Sequence, residues 1–168
     1  MIDDRTFTFC GTPDYLAPEI VTNKGHNYAV DWWTLGVLAY ELMGGDPPFM
    51  ANDQMETFGR ISRVQYRFPR TFSRAARNFI EKLLTKTPIT RLGMLRGGAS
   101  DVYAHDFLAH IDMEKLEAKE LTPPHIPPLK DRLDLSNFDN ATPYQGPNRK
   151  YDRYVDKKFD SVWEAEFA

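Results

Sequence analysis

Val30-Asp31-Trp32-Trp33-Thr34-Leu35-Gly36-Val37-Leu38-Ala39-Tyr40-Glu41-Leu42-Met43 is the stretch that decides the fold. Nearly every position is apolar, which leaves no polar face for water and places a helix at the centre of a domain or in a membrane. At ~1.5 Å per residue it would run about 20 Å, too short for a bilayer, and Asp31 and Glu41 also argue against lipid. Gly44-Gly45 ends it, since glycine readily takes the left-handed conformation after a helix. Gly36 costs about 1 kcal/mol relative to alanine inside a helix, so another backbone is expected to pack closely there. Two acids in a core helix need partners, which are expected in the flanking loops.

Outward from this helix, the 168 residues suffice for one domain with a sizeable core. With 42% hydrophobic and 27% charged residues the chain reads as soluble and globular, and a formal charge of −3 gives no reason to expect nucleic acid or an anionic membrane surface. The single cysteine, Cys10, excludes an internal disulfide framework and suits a reducing, cytoplasmic setting. No signal peptide or membrane segment is evident. A well-marked loop begins almost at Met1, so the chain is expected to start inside a larger domain.

Upstream, Gly11-Thr12-Pro13-Asp14 is turn chemistry, and Pro18 suits the first turn of a short helix through Val21. Lys24 to Asn27 reads as a loop. Downstream, Asp46-Pro47-Pro48-Phe49 is a rigid turn, and Asp53-Gln54-Met55-Glu56 reads as a capping box opening a helix to about Ser62. Ser73 caps the next helix, whose Ala76, Phe79, Ile80, Leu83 and Leu84 form one buried stripe. Ser100 to Leu108 and Asp112 to Ala118 read as short helical pieces. From Leu121 the recurrent prolines preclude regular structure, yet spaced aromatics continue to the end, as in an extended strap on a folded surface.

Thr6-Phe7-Thr8-Phe9-Cys10-Gly11-Thr12-Pro13-Asp14-Tyr15-Leu16-Ala17-Pro18-Glu19 closely resembles the end of the activation segment of AGC-type protein kinases, Ala-Pro-Glu signature included. Asp31-Trp32-Trp33-Thr34-Leu35-Gly36, Pro47-Pro48-Phe49 and Arg91-Leu92-Gly93 follow in that family's order. Ser136-Asn137-Phe138-Asp139 resembles its C-terminal tail. Leu121 to Pro127 and Trp163 to Phe167 are more similar to the cGMP-dependent branch than to the cAMP-dependent one. The resemblance implies a mainly α fold: an incomplete kinase large lobe over residues 1–120 and a C-terminal tail over 121–168.

The sequence holds no Gly-x-Gly-x-x-Gly loop, no strand lysine of the Val-Ala-Ile-Lys type, no His-Arg-Asp loop and no Asp-Phe-Gly. The resemblance therefore implies a Ser/Thr kinase using ATP and Mg²⁺ at full length, with neither bound by this chain alone and no catalytic residue in it. The implied partners are a basic protein or peptide substrate, the missing N-terminal kinase portion and a cyclic-nucleotide-binding region elsewhere. The rival expectation is a non-catalytic lobe that holds a regulatory or pseudosubstrate partner.

On the same resemblance Thr8 matches the activation-loop phosphosite, against an ordinary loop threonine. Phe9, Pro13 and Leu16 match the pocket for the residue after the phosphoacceptor; otherwise Phe9 and Leu16 are core. Thr12 matches a threonine that supports the catalytic aspartate and lysine, against a turn hydroxyl bonding its own backbone. Glu41 and Asp14 match carboxylates that take substrate arginine, with a charge reaching the surface as the plain reading of Glu41. Glu19 and Arg91 match a buried structural ion pair. Asp31 matches the anchor of the catalytic loop, with a simple helix-dipole acid as rival. Phe138 matches the tail aromatic beside the adenine, and Trp163 and Phe167 match aromatics that dock on the small lobe. Cys10 is expected to be a buried thiol.

Overall fold

In the computed structural model, residues 5–138 are described. The chain divides into two units, Met1–Leu121 and Thr122–Ala168. Among the described residues the regular elements of the first are all helical: α1 (Pro18–Val21), α2 (Ala29–Gly44), α3 (Gln54–Arg63), α4 (Arg74–Leu83), α5 (Ala99–Tyr103) and α6 (Met113–Glu117), with 3₁₀ turns at Pro13–Tyr15 and Pro88–Thr90. Among the described residues the only β pairing is a single antiparallel bridge, Thr6 with His26. A mainly α fold is what the sequence led us to expect.

Local chemistry sets the helix ends. Tyr28 has no side-chain cap to offer α2, and Asn27 does the work instead: its Oδ1 accepts from the Ala29 amide at 3.0 Å. Gly45, at φ 93°, closes α2 through its amide on the Glu41 carbonyl, 2.8 Å away. Asp53 Oδ1 caps α3 on the Glu56 amide at 2.8 Å, but the expected capping box is only half made. Glu56 turns along the helix to Arg60 instead, 2.6 Å away, and Arg60 in turn donates to the Met50 carbonyl. Ser73 caps α4 on the Ala76 amide at 3.1 Å. Residues 100–108 are less helical than expected: α5 stops at Tyr103, and a run of turns follows in which the Leu108 amide bonds the His105 carbonyl.

The core is built on α2. Trp33 stacks on Phe49 with ring centroids 5.4 Å apart, and Val37 and Tyr40 continue the buried face toward Ile61, Phe72 and Ile80. Tyr40 lays its hydroxyl on the Arg67 carbonyl at 2.6 Å, which fixes the aromatic cluster of Tyr66, Phe68 and Phe72 around it. A second cluster, Phe79, Leu83, Leu92 and Val102, joins α4 to α5. At Gly36 the close neighbour is not backbone, as expected, but the side chains of Leu83 and Leu84; a Cβ there would lie 2.9 Å from both.

The expectation that α2 is buried on every side needs correcting. Asp31 and Leu38 are exposed, Leu42 is 78% exposed, and Met43 stands beside it. With half-buried Leu35 these positions follow helical spacing, so α2 turns one apolar stripe to α4 and the aromatic cluster and another to water. No helix among the described residues is long and apolar enough to cross a membrane.

In the second unit the described residues 122–138 hold no helix or strand, in keeping with the prolines. Asp134 organises a local turn there, accepting from the Lys130 amide at 2.8 Å and the Ser136 amide at 2.9 Å. Those bonds hold its carboxyl below the usual carboxylate range.

Candidate functional site

Residues 5–19 reach α2 and the later loops through two contacts of opposite character, one buried and one near the surface. The buried one is the Glu19–Arg91 pair. Pro18 starts α1 and places Glu19 in its first turn, facing inward. Arg91 Nη1 meets Glu19 Oε1 at 2.9 Å and Nη2 meets Oε2 at 3.1 Å, a two-pronged pair spanning 72 residues. Two further donors are engaged, Nη1 with the Ala29 carbonyl at 2.6 Å and Nε with the Thr85 carbonyl at 3.2 Å. The guanidinium also faces the Trp33 ring, 5.3 Å from its centroid. Arg91 has no exposed surface at all. A buried pair of this kind is tolerated because the two charges neutralise each other in a two-pronged geometry and further carbonyls accept from the guanidinium.

The surface contact centres on Glu41. Half-buried in the last turns of α2, it accepts a 2.6 Å bond from the Tyr15 hydroxyl. That bond, with burial and the Glu41 charge behind it, pushes the Tyr15 phenol up from its ordinary value. Tyr15 is the member of this site that the sequence reading missed. It closes the 3₁₀ turn that Pro13 begins, and a tyrosine one residue after an expected carboxylate contact, Asp14, was the available signal. Asp14 is half-buried beside it and adds negative charge near the same phenol.

The structure brings part of the expected apolar pocket together. Leu16 is buried at 4% exposure, and Pro13 is half-buried. Phe9 is 57% exposed, so it is not core; its ring meets Phe58 of α3 edge-on at 5.9 Å. Thr8 is exposed, its hydroxyl 3.2 Å from that of Thr6. Thr12 makes no side-chain cap; its carbonyl accepts from the Tyr15 amide at 3.0 Å, so the turn is closed by backbone. Cys10 is exposed, contrary to expectation, because the loop between Thr8 and Thr12 lies on the surface. Asp31 is exposed in the first turn of α2 and engages no described residue with its carboxylate. Phe138 is 72% exposed within its own unit. Trp163 and Phe167 lie outside the described residues.

Among the described residues no three His, Cys, Asp or Glu side chains gather as metal ligands, and the sequence has no phosphate-binding glycine loop. The structure places here a carboxylate bonded to a phenol, the half-buried Pro13 and buried Leu16, and an exposed loop bearing Thr8.

Comparison with known families matches residues 2–108 to the protein kinase domain. The chain is 44% identical over 138 residues to the cAMP-dependent protein kinase catalytic subunit of Dictyostelium discoideum, covering 82% of this chain and 21% of that protein. It is 45% identical over 137 residues to the serine/threonine-protein kinase gad8 of Schizosaccharomyces pombe, covering 82% and 24%. To the human cGMP-dependent protein kinase 2 it is 42% identical over 144 residues, covering 84% and 19%. It thus spans about a fifth of the length of the curated relatives it matches.

Proposed function

Given that this chain belongs to the protein kinase family, in its AGC branch, we propose that it is the substrate-side part of a Ser/Thr kinase large lobe with its C-terminal tail. The complete enzyme transfers the γ-phosphate of ATP to serine or threonine in basic substrates, under control of a cyclic nucleotide bound elsewhere. The observation that carries this reading is the Tyr15–Glu41 bond, 2.6 Å long across 26 residues. It holds a carboxylate in place near the surface with one oxygen still available, which suits a guanidinium.

In this reading Thr8 takes the activating phosphate, adding about −1.5 to −2 charges to an exposed loop. Glu41 and Asp14 receive an arginine placed before the phosphoacceptor. Phe9, Pro13 and Leu16 favour an apolar residue after it, a discrimination of roughly 1–3 kcal/mol. Thr12 and Asp31 meet the catalytic loop of the missing N-terminal portion, which packs on the bare stripe of Leu38 and Leu42. Phe138 closes beside the adenine, and Trp163 and Phe167 dock on the small lobe. ATP and Mg²⁺ are held by that other portion.

The test is to join the chain to a catalytic half from a related kinase and follow phosphate transfer to a serine peptide carrying upstream arginines. Glu41→Gln should raise KM for that peptide at least tenfold while leaving a peptide without arginines unchanged. Equal effects on both peptides would count against the assignment. The isolated chain should transfer no phosphate.

One observation favours a second reading. The buried cluster around α2 and the Tyr15 bond that holds Glu41 both lie within the first unit. As a non-catalytic module it would hold a basic pseudosubstrate peptide. Arginine-peptide binding by the isolated chain, with no ATP hydrolysis, distinguishes that case.

A further inference from the structure

A cavity of about 760 Å³ lies between the 18–27 stretch and the 86–94 loop, apart from Thr8 and Glu41. Its volume falls within the range of roughly 300–1,000 Å³ typical of small-molecule sites. Most polar groups in its wall are already satisfied. The Thr22 hydroxyl donates to the Pro18 carbonyl at 2.8 Å, and that of Ser62 to the Phe58 carbonyl at 2.8 Å. Asn27 Oδ1 is held by the Ala29 amide, and the Glu19 carboxylate is neutralised by Arg91.

Two features are left over. Lys24 and Lys86 line the cavity, and no ion pair among the described residues engages either of them; His26 stands with them. Opposite in character, Pro18, Pro88, Ile89 and Met94 supply an apolar wall, with Ile89 left 73% exposed. That isoleucine rides on a 3₁₀ turn fixed by the Arg91 amide on the Pro88 carbonyl and the Thr90 hydroxyl on the Thr87 carbonyl, so the wall is preformed.

We propose that this cavity binds a small amphiphilic anion, a carboxylate or phosphate carried on a short apolar body. The head lies against Lys24, Lys86 and His26, and the body lies on Ile89, Met94 and the two prolines. A neutral apolar molecule would leave the cations unused, and a bare inorganic anion would leave Ile89 in water. A phosphate on Thr8 is not the occupant. Thr6 and Thr8 share one side of their extended segment, with hydroxyls 3.2 Å apart, whereas Arg5 and Phe7 face Gly25 at the cavity edge. The occupant touches the same two segments that the Glu19–Arg91 pair joins, so it stabilises the fold. The inference goes beyond the kinase reading and does not depend on it.

The test is calorimetric titration of the full chain with decanoate below its micelle concentration, alongside decyltrimethylammonium and inorganic phosphate. Decanoate should bind one to one and raise Tm, with the other two at least tenfold weaker. The exposed double substitution Lys24→Glu with Lys86→Glu, and separately Ile89→Asp, should each weaken decanoate at least tenfold with unchanged circular dichroism. Decanoate affinity that persists in both variants, or equal affinity for the cationic analogue, overturns the proposal and points to non-specific uptake on the Leu38–Leu42 face. So does binding of an acidic, leucine-containing peptide where decanoate fails.

Discussion

Glu41 carries its charge near the end of a long apolar helix with one oxygen occupied by Tyr15. Tyr15→Phe removes a hydrogen bond to a charged acceptor, worth about 1–2 kcal/mol at a half-buried site. It also frees the carboxylate to swing. We expect a drop in Tm of a few degrees and, in a reconstituted kinase, a weaker preference for arginine peptides, read as KM ratios between arginine and glutamine peptides. Arg91 is less forgiving. Lysine keeps the charge but cannot reach both Glu19 oxygens and the Ala29 and Thr85 carbonyls together. Arg91→Lys should cost about 3 kcal/mol, and Arg91→Met more, because Glu19 would remain charged and buried. Urea denaturation of the isolated chain measures both; an Arg91→Met loss under 1 kcal/mol would show that the pair is not structural.

At the scale of elements, α2 and α4 meet at Gly36 with no room for a methyl group: a Cβ would sit 2.9 Å from Leu83 Cβ and Leu84 Cδ2. Gly36→Ala gains about 1 kcal/mol in helix propensity but forces the helices apart, and overpacking of that kind costs roughly 1–3 kcal/mol. The expected result is a net loss of stability together with weaker near-ultraviolet circular dichroism from Trp32 and Trp33. Much of this arrangement was legible in the sequence. The apolar run gave α2, Ser73 and Asp53 gave the starts of α4 and α3, and the spacing from Ala76 to Leu84 gave the buried stripe. Three points were not legible. The outward face of α2 is as greasy as its inward face, so composition alone could not say which of Val37 and Leu42 is buried. Glu56 had two partners within reach and took Arg60, because i, i+4 spacing brings the two side chains together. The Tyr15–Glu41 bond spans 26 residues, and no local pattern announces it. Thr8, Asp14 and Asp31 were singled out by resemblance alone, since nothing in their own chemistry separates them from ordinary surface residues.

For the molecule as a whole, pH and exposed apolar surface set the behaviour. His105 Nδ1 accepts from the Phe107 amide at 3.2 Å, so the ring proton sits on Nε2, facing Asn78 Oδ1 at 3.0 Å. Burial, then the nearby Lys82 charge, pull the imidazole below its ordinary value of 6.5, with Asp106 opposing. The unfolded chain therefore binds the proton more readily. The stabilisation is full above about pH 6.5 and is lost as pH falls toward the lowered folded value. His105→Gln should flatten the stability profile below pH 6.5, measured by urea midpoints from pH 7.5 to 5. The bare α2 stripe should make the isolated chain associate, and Leu42→Gln should reduce that association in sedimentation experiments without lowering Tm.

The guanidinium of Arg91 is held by the nearby Thr85 carbonyl and by two distant groups, the Ala29 carbonyl and the Glu19 carboxylate, the acid lying 72 positions earlier. During synthesis Glu19 leaves the ribosome long before its counter-charge exists, and it must stay in water until then. The first unit consequently has no comfortable halfway stage: closing the loop of that length and burying the charge belong to one late event. A nascent chain stalled before position 91 should be open to protease at the 18–27 stretch, and one released beyond it should resist.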